Sequence, residues 1–308
     1  MSSSASNDLV NSSLTHRRSL PPALVLLLPW AVVYAAFYVF PFVFSFVLGF
    51  LSYNPLNVDN TSWVGLDNFA RLFGDPRFGH ALRNTIFFVL GTVPLTTIGA
   101  LALAVLLRGR VPGKSFFKAG FFLPSIISMV VISLLFKLFY APNGGLNQAL
   151  SFFGLGGHGW LTDPSTALPA IMVMDVWAAM GYYAIIFDAA FAGIPKELYE
   201  AAELEGAGFR ATLRYVTLPM LRPVISFVLV INTIRSFQIF IEVFVMTQGG
   251  PLGSTDTLVL YLYEAAFRQL DYGYASAIAY AVFVISGIFS IFVVKRLSPK
   301  FKESRAAG

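Results

Sequence analysis

The sequence predicts an all-α, polytopic membrane protein with six transmembrane helices, and three observations carry that expectation. First, 56% of the 308 residues are hydrophobic and only 12% charged, and the mean hydropathy is +0.71. That leaves too little polar surface to cover a soluble globule of this size. Second, six apolar stretches, at about 23–51, 85–107, 119–136, 168–187, 224–246 and 274–294, approach or exceed the roughly 20 residues that a span requires. Third, the 21 basic residues alternate with the spans: two precede residue 23, four lie in 108–118, four in 196–222 and five after 294. Only Arg71, Arg77, Arg83 and Arg268 lie in the intervening loops, with Lys137 at the outer end of span three and Arg235 inside span five. This positive-inside bias places both termini and the 195–222 loop in the cytoplasm. The net charge of +5 orients the chain and requires no nucleic acid.

Taken in order, residues 1–19 form a serine-rich cytoplasmic terminus expected to be disordered. The run 23–51 is too long for a signal-peptide core and lacks a convincing cleavage site, so it reads as an anchor opening a membrane domain over 20–296. Tyr53–Asn84 is an outer loop with the motif W-V-G-L-D-N-F at Trp63–Phe69, and Ala141–Ala167 is a second with N-G-G-L-N. A third, Thr247–Tyr274, begins T-Q-G-G-P, and its Gly249, Gly250 and Pro251 demand a tight non-helical turn. Residues 297–308 form a cytoplasmic tail.

The charged island 195–222 separates two spans. Pro195 starts a helix, Glu197 and Glu200 suit its positive N-terminal end, and Gly206 and Gly208 stop it before a second helix. Within it Glu200, Ala201, Ala202 and Gly206 read E-A-A-x-x-x-G, followed by V-x-L-P ending at Leu218 and Pro219. The small alanines admit a close protein surface, and Glu200 offers it a charge.

This island resembles the signature loop of ABC importer permeases. With G-L-D-N-F, L-P-S-x-x-S at Leu123–Ser128, N-G-G-L-N-Q-A-L and T-Q-G-G-P, the chain from about Leu20 to Arg296 resembles the first of the two homologous permeases of carbohydrate importers of the maltose and glycerol-3-phosphate type. Lys137 after Phe136 is a departure, since Trp is commoner there. The resemblance implies the six-helix importer core, an inner-membrane location, a second permease, two ATPase subunits, an extracytoplasmic solute-binding protein, and a sugar, glycoside or polyol as solute. It also implies that Gly249, Gly250 and Pro251 contact the binding protein, and that ATP and Mg sit on the partner ATPase with no cofactor in this chain.

Polar residues inside spans are costly in lipid and face cavities or partner helices. In span five, Asn232, Arg235, Ser236, Gln238 and Glu242 fall within an arc of about 160° on one continuous helix. They either bind solute hydroxyls or pair with neighbouring helices. In span four, Asp175 and Tyr182, seven apart, share a face, and Trp177 offers a flat surface to a sugar ring or packs against lipid or a helix. A buried Asp175 needs a partner, and Arg235 is the obvious one to test. Asp188 reads as structural, and Lys137 as snorkelling to the interface.

No cysteine is present, and His16, His80 and His158 are far apart in sequence, so thiol and metal chemistry are not expected. Gly109, Gly113, Lys114 and Ser115 imitate a phosphate-binding loop with one residue too few and no preceding strand, so the chain is expected not to hydrolyse ATP. Two other classes fit less well. An ion-coupled transporter calls for inverted repeats and interrupted helices, neither clear in the sequence, and an intramembrane enzyme lacks a histidine beside Asp175, Asp188 or Glu242. A glycerol-phosphate importer is the nearer alternative, with Arg235 holding the anion.

Overall fold

The computed structural model describes residues 22–108 and 113–297. The expected terminus 1–19, nearly all of the tail 297–308, and Gly109 of the imitation phosphate loop lie outside the described residues. Packing divides the chain into two units that meet at Val47 and Leu48. The first is the apolar stretch of α1 (Pro22–Tyr34), a π-helical turn (Ala35–Val39) and the start of α2 (Phe40–Leu48), with Trp30, Tyr34 and Tyr38 stacked along one side.

The second unit begins with an antiparallel pair, β1 (Leu51–Ser52) on β2 (Ser62–Trp63), followed by α3 (Asp67–Gly74). The G-L-D-N-F motif acts here through Asn68, whose buried amide donates to the carbonyls of Gly49 and Leu51, both at 3.0 Å. Then follow α4 (Pro76–Arg108), α5 (Lys114–Ile126), α6 (Met129–Phe139) and α7 (Gly145–Phe152). The remainder is α8 (Ala167–Ala192), α9 (Lys196–Leu204), α10 (Phe209–Thr212), α11 (Leu218–Phe237), α12 (Ile241–Met246), α13 (Leu258–Tyr263) and α14 (Tyr272–Leu297). π-helical turns join α10 to α11 (Leu213–Thr217) and follow α13 (Glu264–Arg268).

Among the described residues, five helical stretches are long and apolar enough to cross a membrane, six if the bent pair α5–α6 counts as one span. Three expectations are corrected. The second span starts nine residues early, inside the predicted outer loop: at 33 residues α4 is about 50 Å long and overruns a hydrocarbon core of about 30 Å. The third span is not one helix, because α5 and α6 meet at 104°. Pro124 lacks the N–H that the last turn of α5 needs, and Ile127 and Ser128 adopt extended backbone. The fifth span also breaks, at Gln238–Phe240, so interrupted helices are present where the sequence had suggested none.

Helix α8 lies along α4, α5 and α11, and α11 lies on α4 and α14. Two buried apolar clusters flank the middle of α8, one around Phe88, Ile171, Met174 and Val243, the other around Leu107, Tyr183, Phe187, Phe191 and Leu221. In lipid, apolar contact between helices gains little from water release, so close packing and polar ties hold such a bundle. Gly181 shows the first: a Cβ there would lie 1.8 Å from the carbonyl oxygen of Phe121, so α5 and α8 touch backbone to backbone. Lys118 bonded to Asp188 shows the second, and gives Asp188 its structural partner.

Candidate transport path and coupling element

The break in span five makes the cavity. Because α11 ends at Phe237, Gln238 stands at its C-terminus and Glu242 belongs to α12, so the five polar residues do not form one helical stripe. The turn instead opens a cavity of about 400 Å³ lined by Phe88, Met129, Asp175, Arg235, Ser236, Gln238, Ile239, Phe240, Ile241 and Glu242. Nη2 of Arg235 donates to both carboxylate oxygens of Asp175 at 2.7 Å. Asp175 is 1% exposed, Arg235 is half-buried, and Nε of Arg235 has no protein partner. Glu242 is buried on the same cavity. Three formal charges, two negative and one positive, therefore share a space walled by apolar side chains.

The other candidates separate. Asn232 points at α4, where Nδ2 donates to the Val93 carbonyl at 3.4 Å, and its Oδ1 is buried without a partner. Ser236 accepts from Thr92 Oγ1 at 3.3 Å while bordering the cavity. Tyr182, predicted to share a face with Asp175, is half exposed and does not line the cavity. Seven residues separate them by about 10 Å along the axis, and different neighbours cover the two levels. Trp177 also lies off the cavity, with its ring 5.3 Å from that of Phe136 on α6. The sequence reading missed Thr92 and the Val93 carbonyl, both on a helix whose apolar pattern gave no sign of them. Lys137 donates to the Val245 carbonyl at 3.0 Å, a tie from α6 to α12.

In the coupling island, Pro195 caps α9, and Glu200 and Ala201 on that helix are exposed, with Ala202 half-buried. Gly206 has φ +73°, a left-handed conformation that terminates the helix and that side chains with a Cβ adopt at a cost. Leu218 and Pro219 form the first turn of α11, so the second helix of the island continues into span five. Leu204, Phe209 and Tyr215 are exposed around α9. Among the described residues no side chain pairs with Glu200.

The G-G-P turn is held from both sides. Gly249 has φ +86°, and the Gly250–Pro251 peptide is cis. The Gly250 carbonyl accepts from Thr255 Oγ1 at 2.7 Å, and Asn84 Nδ2 donates to the carbonyls of Gly253 and Asp256 at 3.0 and 2.9 Å. Leu252, at the tip, is almost fully exposed.

Residues 108–303, which include the island, α11 and the G-G-P turn, match the family of binding-protein-dependent transport system inner membrane components. The chain belongs to that family. This inner membrane component is 37% identical to the probable ABC transporter permease protein YurN of Bacillus subtilis (strain 168), over 88% of this chain and 94% of the relative. It is 37% identical to the lactose transport system permease protein LacF of Rhizobium radiobacter, over 73% and 78%, and 33% identical to the diacetylchitobiose uptake system permease protein NgcF of Streptomyces coelicolor, over 86% and 80%. Its fold is that of a chain in a bacterial ABC transporter that imports alginate, with a TM-score of 0.79 over 90% of this chain and 96% of the other at 23% identity. The component is thus a multi-pass permease of a transport system and not itself an enzyme.

Proposed function

We propose that this permease forms half of the pore of an ATP-driven, binding-protein-dependent importer for a neutral sugar, glycoside or related polyol. The observation that carries the solute class is the charge arrangement around Arg235. Its guanidinium is already neutralised by Asp175 at 2.7 Å, and Glu242 adds a second negative charge to the same cavity. An anion entering there meets a net negative field in a low-dielectric wall, whereas hydroxyls find carboxylate acceptors and the unpartnered Arg235 Nε. This favours a neutral polyhydroxy solute over glycerol phosphate, in keeping with relatives named for lactose and diacetylchitobiose transport.

The chemistry of the exposed surfaces supports the ATPase-docking part of the assembly. Exposed Glu200 and Ala201, with Leu204, Phe209 and Tyr215 around them, suit a docking site for a partner ATPase that binds ATP and Mg. Gly113–Lys114–Ser115 lacks the spacing of a phosphate loop, and Lys114 simply starts α5. A second homologous permease completes the pore, and the extracytoplasmic binding protein meets the turn at Gly249, Gly250 and Pro251. The basic segments put α9 and both termini in the cytoplasm. The test is purification of the tagged chain in mild detergent, mass spectrometry of its partners, and ATP-driven uptake in proteoliposomes. A second permease, an ATPase and uptake of a neutral glycoside but not of a glycerol phosphate are expected. ATP-independent uptake by the chain alone overturns the reading.

A further inference from the structure

Helix α9 stands over a cavity of about 520 Å³ that Arg108, Phe191, Tyr199, Glu203 and Thr217 help to line. One polar chain crosses that gap. Arg108, the last residue of α4, donates from Nη1 to the Tyr199 hydroxyl at 2.9 Å. Its guanidinium carbon lies 4.6 Å from the centre of the Tyr199 ring and 5.1 Å from that of Phe191. The Tyr199 hydroxyl lies in turn 3.3 Å from Oγ1 of Thr217. A phenol has one proton to give and lone pairs to receive, so it can serve both partners at once. Thr217 is buried and is the last residue of the π-helical turn Leu213–Thr217, immediately before α11.

We propose that Arg108, Tyr199 and Thr217 are positioning residues that make α9 move α4 and α11 together when the partner ATPase displaces it. The proposal rests on the coupling reading of α9 given above. The π turn is the element suited to yield, because its i→i+5 bonds hold one residue more per turn than the α-helix that continues from it. Shifting that register by one residue advances α11 by about 1.5 Å. The shift is delivered to Arg235 and Ser236 on α11, while Arg108 carries it into α4, where Phe88 borders the same cavity. Motion at Tyr199 therefore reaches two walls of the solute path, and removing its hydroxyl removes the hydrogen bond to each while keeping its ring and the contact of that ring with Arg108.

The test is made in the complete assembly in proteoliposomes, with Tyr199→Phe, Thr217→Val, their double variant and Arg108→Lys. The readout is solute moved per ATP hydrolysed, at matched amounts of assembled complex, with Glu200→Lys run in parallel. A neutral hydrogen bond sets the scale: each single variant is expected to lower the ratio about fivefold. The double variant is expected to match the singles, and Arg108→Lys to keep part of the ratio through its remaining charge. An unchanged ratio in Tyr199→Phe overturns the link, and so do effects that multiply in the double variant or a loss confined to the amount of assembled complex. The two readings separate cleanly: if Glu200→Lys uncouples while Tyr199→Phe does not, the link fails and the coupling role of α9 stands. If Glu200→Lys changes nothing, the coupling reading itself fails.

Discussion

Nη2 of Arg235 lies 2.7 Å from both carboxylate oxygens of Asp175, joining α11 to α8 at the wall of a cavity that also holds Glu242. Removing one partner of a buried pair strands the other, at a cost of about 3–5 kcal/mol. Arg235→Gln is therefore expected to lower the melting temperature of the detergent-solubilised complex and abolish uptake. The double variant Asp175→Asn/Arg235→Gln is expected to recover much of the stability without recovering uptake. Melting curves and uptake measured on the same preparations check this. Full activity in the double variant would remove the pair from the solute path.

Glu200 projects from α9 with no side-chain partner among the described residues, so reversing its charge breaks no side-chain pairing among them. Glu200→Lys is expected to leave the protein in the membrane at its normal level and to break stimulation of the partner ATPase. Membrane immunoblots together with ATPase assays on the purified complex distinguish this from misfolding. A drop in membrane level matching the drop in ATPase would sink the idea.

Asp75, between α3 and α4, accepts from the hydroxyls of Tyr261 and Tyr274 and from the backbone N–H of Arg77 at 2.9 Å. Burial pushes its carboxyl up, but these donors outweigh burial and hold it below the usual carboxylate range. A pKa lowered by folding contributes stability above the unfolded value, near 4, and that contribution disappears as the pH falls through the folded value. Asp75→Asn is thus expected to destabilise the complex at pH 7, by about 1.5–3 kcal/mol for hydrogen bonds to a charged group. The gap between variant and wild type should close as the pH drops below about 4. Thermal denaturation across pH 3–7 reads this directly, and a gap independent of pH assigns Asp75 no electrostatic part.

What was legible in the sequence was local. Pro195, Glu197 and Gly206 bound α9 because capping and a left-handed stop are properties of a few adjacent residues. Hydropathy found the spans because a bilayer imposes one length on all of them. The two interruptions were hard to read: Pro124 is a breaker signal ahead of the first, but Ile127, Ser128 and Gln238–Phe240 carry side chains compatible with helix, and their extended or turn backbone depends on what packs around them. The polar stripe failed for the same reason, since a constant 100° per residue was carried across a break. Arg235, Ser236, Gln238 and Glu242 still reached one cavity with Asp175, but Asn232, Tyr182 and Trp177 did not. Long-range partners were invisible. The exception was Asp175, because a buried carboxylate needs a partner and Arg235 was the obvious candidate, whereas nothing near Arg108 pointed to Tyr199.

Gly181 gives the sharpest steric test of how α8 is fixed. An added Cβ would sit 1.8 Å from the Phe121 carbonyl oxygen and 2.7 Å from its carbon, and backbone, unlike a flexible side-chain tip, cannot swing aside. Gly181→Ala must therefore push α5 away from α8, straining the nearby contact of Ser125 Oγ with the Ala178 carbonyl and the Lys118–Asp188 pair. Overpacking of this kind costs about 1–3 kcal/mol. Alanine favours helix over glycine by about 1 kcal/mol, which offsets part of that loss. A net fall in melting temperature is expected. Gly120, on α5 itself, has open space where its Cβ would point, so Gly120→Ala should be neutral or stabilising. If the two variants behave alike, the α5–α8 crossing is not set by backbone contact at Gly181.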